Sequence, residues 1–148
     1  MPKAANEIVI ERPVGDVFAF LADAENDIKW RQGVVEIKRV SGNGATGTRY
    51  RQRVKGPGGR AVSADVEITD YRPDELIGFR ATSGPVRPSG RYLVTAVDVG
   101  TRVRFELEAE LRGLKRLLSP MVEKTMRSEV SALTDLKRAL EAARGEGR

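Results

Sequence analysis

Leu114, Leu118, Val122, Met126, Leu133, Leu136 and Leu140 recur at helical spacing through the stretch from Leu114 to Ala143. That spacing lays one apolar stripe along one face of a helix. Such a helix reaches roughly 40 Å at about 1.5 Å per residue, so it needs a partner surface of similar extent. The chain before it reads mostly as strands. A curved antiparallel sheet wrapped around one long helix buries both apolar surfaces. Ser119-Pro120 supplies an N-cap residue followed by a first-turn proline. The helix therefore begins there or kinks there, and the Leu114–Leu118 turn is expected to be a separate piece, able to move as a gate.

The strand reading follows from period. Glu7-Ile8-Val9-Ile10-Glu11 is a short β-rich run ended by Pro13. Val14, Val17, Phe18 and Leu21 then switch to helical spacing for about three turns. The polar segment from Ala24 to Gln32 fits a second small helix or turn, with Ile28 and Trp30 as its large apolar groups. From Gly33 the period becomes two. Val35 and Ile37 share one face against Val34, Glu36 and Lys38. Tyr50, Gln52 and Val54 oppose Arg49, Arg51 and Arg53, and Val62, Ala64, Val66 and Ile68 form the next alternating run. After Leu76–Thr82 and a Gly/Pro loop, Tyr92 and Val94 share the inward face with Val103, Phe105, Leu107, Ala109 and Leu111. Clean alternation marks a sheet with one wet face. Turn signals at Ser41–Gly44, Gly56–Gly59, Arg72–Asp74 and Asp98–Thr101 make the strands an antiparallel meander.

Composition narrows the chemistry. The chain has no cysteine and no histidine. Disulfides, thiol nucleophiles and thiolate metal sites are excluded, and the commonest metal ligand and neutral-pH general base are missing. No metal or cofactor is expected. The 148 residues suit one domain, with the tail 144–148 expected to fray. The N-terminus has no apolar leader core and no run is long enough to span a bilayer, so the expectation is a soluble cytoplasmic protein. A homodimer is compatible with this reading.

A net charge of +5 on 26 basic and 21 acidic residues is a modest excess. Arg49, Arg51 and Arg53 form a basic strand face that could serve nucleic acid or an acidic protein partner. Tyr50 points away from it, so no stacking platform is interleaved, and Asp65 and Glu67 are its cross-strand partners. A solvated charged face is the favoured reading, and nucleic acid is disfavoured. Ser83–Gly90 lacks the ending of a phosphate loop; Arg87 would either meet an anionic ligand group or sit on a plain surface loop.

Several residues interrupt this pattern. Glu129 falls inside the helical stripe, where an ionised carboxylate is costly unless paired. Facing a cavity, its pKa would rise by desolvation and suit acid–base work; the alternative is that it meets an arginine at the rim. Thr125 shares its face and could donate to a ligand or bond back to the helix. Gln52 on an apolar strand face needs a partner. Tyr50 and Tyr92 are core aromatics or groups that orient an enolate oxygen. Trp30 either packs a small core or borders a cavity. Met121 and Met126 are core filler or an adaptable ligand wall.

The order of elements, with Ile10-Glu11-Arg12-Pro13-Val14-Gly15-Asp16-Val17-Phe18, Asp23–Trp30, Gly47-Thr48-Arg49-Tyr50, Gly100-Thr101-Arg102-Val103 and Leu136-Lys137-Arg138-Ala139-Leu140-Glu141, resembles the helix-grip superfamily of START and birch-pollen-allergen type. Within it, the chain is most similar to polyketide cyclase/dehydrase-like (SRPBCC) proteins. The likeness runs from Ile8 to Glu141. It implies an α+β helix-grip fold, with about seven antiparallel strands around a long C-terminal helix and two short helices after the first strand. It also implies a cavity between sheet and helix, which periodicity alone does not show. Its expected wall is Trp30, Tyr50, Gln52, Tyr92, Val94, Phe105, Val122, Thr125, Met126 and Glu129. The expected occupant is a small hydrophobic or amphipathic molecule such as a lipid, quinone or polyketide-like aromatic. The alternatives are a cyclase or dehydratase with Glu129 as acid/base, and an interaction protein using its basic sheet face.

Overall fold

The computed structural model describes residues 2–84 and 86–146. The strands are β1 (Lys3–Ile10), β2 (Val34–Ser41), β3 (Arg49–Lys55), β4 (Ala61–Ser63), β5 (Val66–Arg72), β6 (Leu76–Ala81), β7 (Ser89–Val97) and β8 (Gly100–Glu108). The helices are α1 (Val14–Ala22), α2 (Ser119–Ser131) and α3 (Leu133–Glu146), with 3₁₀ segments at Ala24–Lys29, Pro57–Gly59 and Gly113–Leu118. One antiparallel sheet runs β1-β8-β7-β6-β5-β3-β2, and β4 pairs only with β3. Short turns join most neighbours, as a meander requires. The connection from β1 to the opposite edge strand β2 carries α1 and the Ala24–Lys29 turn. No described helix is long and apolar enough to cross a membrane.

The alternation puts the expected residues inside. Tyr50, Gln52, Ile68, Tyr92, Val94, Val103, Phe105, Leu107 and Ala109 are all buried. They meet Val17, Phe18 and Leu21 of α1, and Val122, Met126, Val130, Leu133, Leu136 and Leu140 of the C-terminal helices. The β7–β8 hairpin is locked to the end of β1. Gly100 holds φ 153°, and a Cβ there would lie 2.1 Å from the Ile10 carbonyl oxygen. The buried Thr101 hydroxyl donates to the Arg12 carbonyl at 2.8 Å.

Three local expectations are corrected. The long helix is two helices, broken at Ala132, whose N–H bonds to Glu129 and Val130 oxygens. Asn6, on the core-facing side of β1, donates to the Val130 carbonyl at 3.2 Å, adding a second donor to that oxygen at the break. Leu114 and Leu118 leave the stripe, while the Gly113–Leu118 turn is, as expected, a separate piece: a 3₁₀ segment with no buried residue. Gly113 at φ 60° opens it and Pro120 lies in the first turn of α2, so the helical phase does not carry through. In β2 Val35 does not share the face of Ile37 as expected: Val35 is exposed, while Val34 is buried and Ile37 packs against the core. A register shift between Val34 and Glu36 moves the pleat by one residue, which reverses the faces. Of the tail expected to fray, residues 144–146 continue α3 and residues 147–148 lie outside the described residues.

Candidate functional site

The polar centre of the molecule is Arg31, just past the Ala24–Lys29 turn. Its Nε donates to Glu129 Oε2 at 3.1 Å, and its Nη1 donates to Asp27 Oδ2 at 2.9 Å and Gln52 Oε1 at 3.1 Å. Three elements thereby converge: the turn, β3 and the end of α2. Asp27 and Arg31 lie four residues apart, the separation at which side chains meet along a helical turn.

Gln52 is fully served. Besides accepting from Arg31, it donates from Nε2 to the Ala64 carbonyl at 2.9 Å. Its backbone N–H donates to Asp65 Oδ1 at 3.0 Å. The run expected from Val62 to Ile68 is broken at Ala64–Asp65 to make these contacts, which separates β4 from β5. Asp65 thus serves the β3 backbone, while Glu67 answers Arg49 at 3.8 Å and Arg80 at 2.7 Å across the outer face. Arg51 lies 3.8 Å from Glu36. The basic strand face is partly neutralised.

Burial sets the protonation of this cluster. Desolvation pushes the Asp27 carboxyl up to about 6, although Arg31 beside it pulls the other way. Burial also works against the Arg31 charge, but the Glu129 and Asp27 carboxylates outweigh it and hold the guanidinium proton more tightly than usual. Tyr92 is pushed well above its ordinary range by burial first, with the Asp27 charge adding. Burial raises Tyr50 as well.

Beside the cluster stands an aromatic group. Trp30 meets Tyr92 and Phe105 edge-on at centroid distances of 6.2 and 6.3 Å, and Tyr92 and Phe105 lie 4.6 Å apart. Trp30 is 2% exposed, and its Nε1 is buried without a hydrogen-bond partner. These rings, with Val94, Val122 and Met126, occupy the space between sheet and helices. The open hollow beside them lies one layer out. It is a groove of about 340 Å³ between Ile28–Gln32 and the α3 residues Asp135, Arg138, Ala139 and Ala142, with Trp30 in its wall.

The expected site residues therefore divide. Trp30, Tyr92, Phe105, Val94, Val122 and Met126 come together in the core, and Tyr50 is buried with them. Gln52 and Glu129 come together on Arg31. Glu129 sits at the rim with its side chain 26% exposed and paired, so the arginine alternative holds. Thr125 is exposed and takes the second of its two expected roles, its hydroxyl bonding back to the Met121 carbonyl at 3.1 Å. Met121 is also exposed. Asp27 and Arg31 were missed by sequence reasoning. The signal was present, since Gln52 and Glu129 both called for a donor and Arg31 adjoins Trp30. Among the described residues no group of three or more acidic side chains is placed to hold a metal.

Known proteins agree with this architecture. The structure of TTHA0849 from Thermus thermophilus superposes with a TM-score of 0.81 at 26% identity, covering 96% of this chain and 99% of that one. Ara h 8.0201 gives 0.74 at 15% identity, over 95% of this chain and 97% of that one. The di-domain ARO/CYC protein BexL from the BE-7585A biosynthetic pathway gives 0.70 at 22% identity, over 95% of this chain and 47% of that one. No curated protein sequence matches the chain. The polyketide cyclase / dehydrase and lipid transport family matches residues 1–141. With a match over nearly its whole length and a helix-grip sheet to go with it, the chain belongs to that family.

Proposed function

We propose that the protein binds a small hydrophobic or amphipathic molecule, with an oxygen acceptor at one end, in the groove beside Trp30. The observation that carries this reading is the unpartnered Trp30 indole N–H. Buried donors are nearly always satisfied, and one left without a partner is destabilising. The nitrogen is itself enclosed, so a ligand carbonyl or hydroxyl would supply the missing acceptor by displacing the groove wall beside it. The groove has the size of a small-ligand site, roughly 300 Å³ or more. Ile28, Trp30, Ala139 and Ala142 give it apolar wall, while Lys29, Gln32 and Arg138 give it a polar rim.

Trp30 is the only tryptophan, so its indole gives a single N–H resonance and the only indole emission. Titration with a naphthoquinone-type probe should shift that resonance and quench the emission in a saturable way. Ala139→Glu, which fills the groove from α3, should abolish both changes. Saturating probe that leaves the Trp30 N–H resonance in place would overturn the reading. A native mass spectrum of the purified protein would name any molecule already bound.

Cyclase or dehydratase chemistry is the second reading. The observation that favours it is the buried Asp27 carboxyl, raised to about 6 beside Tyr92. Both carboxylates accept from Arg31, and in this form the proton-transfer role moves from Glu129 to Asp27 because burial raises Asp27. Turnover of a polyketide-like substrate should then be lost in Asp27→Asn and survive in Glu129→Gln. The opposite ranking would return the role to Glu129.

A further inference from the structure

We propose that the Gly113–Leu118 turn and the start of α2 form a docking surface for an anionic phospholipid bilayer. All seven residues from Arg112 to Leu118 are exposed. Leu114 is 86% exposed, Leu117 80% and Met121 52%, with Leu118 beside them at 39%. Leu114 and Leu117 are three apart in a 3₁₀ turn, so they stand on one ridge. The sheet does not need them, because Val122 and Met126 on the other side of α2 already fill that contact. A contiguous apolar cluster displayed this fully is uncommon on a protein that stays in water.

Charge selects the occupant. From Glu110 to Arg127 five cations (Arg112, Lys115, Arg116, Lys124 and Arg127) stand against two acids, Glu110 and Glu123. Three of the chain's five net positive charges therefore sit on this stretch. Arg112 and Arg127 hold those two acids. Arg116 and Lys124 form no ion pair among the described residues. Apolar prongs interspersed along the chain with cations match a surface with anionic headgroups above hydrocarbon. A second copy of this chain does not match, since its own excess of cations on this stretch would meet this one. Leu114 and Leu117 stand almost wholly in water, so they do not wall a pocket for a free small molecule. Gly113 and Pro120 bracket the turn, which lets it seat as a unit without disturbing the core. The inference does not depend on the groove beside Trp30.

The test is flotation of the full chain with vesicles of neutral phospholipid alone, or with about one-third anionic phospholipid. Binding is expected to the anionic vesicles and to weaken as salt is raised. Leu114→Glu/Leu117→Glu should reduce it at least tenfold, and Lys115→Glu/Arg116→Glu should do the same. All four positions are exposed, so both variants should keep the parent circular dichroism and thermal midpoint. A third variant, Leu117→Trp, should show a blue-shifted emission on anionic vesicles only. No binding at low salt overturns the proposal. So does binding that survives the leucine substitutions, or RNA retention lost with the cations and kept without the leucines. Self-association that the leucine substitutions abolish in sedimentation overturns it in favour of a dimer.

Discussion

Arg31 and Glu129, separated by 98 positions, meet through a 3.1 Å bond from Nε to Oε2. The bond fastens the turn that carries Trp30 to the end of α2, just before the helix breaks at Ala132. Because Arg31 also holds Asp27 and Gln52, it is the node through which β3, the turn and the C-terminal helix are registered. Removing one partner of such a cluster is unequal in its consequences, depending on how deeply each partner lies.

Arg31→Ala leaves the Asp27 carboxyl buried beside no cation. The expected loss of stability is about 3 kcal/mol at neutral pH. Glu129 is at the rim, and Glu129→Gln keeps an acceptor for Nε, so its loss should stay under about 1 kcal/mol. Urea denaturation of the two variants checks the ranking, and equal losses would show that the cluster is not organised on Arg31.

Asp27 gives the stability a pH dependence of defined sign. Its native pKa of about 6 lies above the ordinary 3.8, so the folded chain binds this proton more tightly than the unfolded chain. Below about 3.8 the two states hold it equally. As pH rises from there to about 6 the unfolded chain releases it first, and the native state loses stability. The full swing is on the order of 3 kcal/mol. Asp27→Asn lacks the titration. The stability of wild type minus that of the variant should therefore fall between about pH 4 and about pH 7. A difference that is flat or rises across this range would mean the native carboxylate is ionised throughout.

Gln52→Leu removes both the acceptor for Arg31 and the donor to the Ala64 carbonyl. A loss of roughly 1–3 kcal/mol is expected from the buried groups left without partners. Gln52→Glu should restore the Arg31 contact and still leave the Ala64 carbonyl unpaired. Hydrogen exchange at Ala64, whose N–H bonds to the Gln52 carbonyl, reports whether the β4–β5 break loosens.

Gly100→Ala should destabilise by about 3 kcal/mol or more, since the φ of 153° is unfavourable for alanine and its Cβ meets the Ile10 carbonyl. The thermal midpoint measures it. Gly58→Ala, also at positive φ but with open space around it, should lose no more than about 1–2 kcal/mol.

Period and turn chemistry determined much of this protein before any tertiary contact was known. Alternation in Tyr50–Val54 and Val103–Ala109 put the right faces inward, and the helical stripe from Val122 to Leu140 found the surface that covers them. These signals are local, because a residue's face follows from its neighbours a few positions away. The same locality explains the failures. A one-residue bulge in β2 reversed Val35 with no mark in its composition. The stripe ran on across Ala132, because spacing does not register that Asn6 bonds Val130, whereas Ser119-Pro120 did mark Leu114–Leu118 as a separate piece. Glu129 and Gln52 announced unmet hydrogen bonds, so the existence of a polar site was legible. Its centre was not. Arg31 is joined to Gln52 across 21 positions and to Glu129 across 98, and only the folded sheet brings those distances to about 3 Å. The same folding decided that Trp30 would be buried with its N–H unanswered and that Leu114 and Leu117 would be left in water.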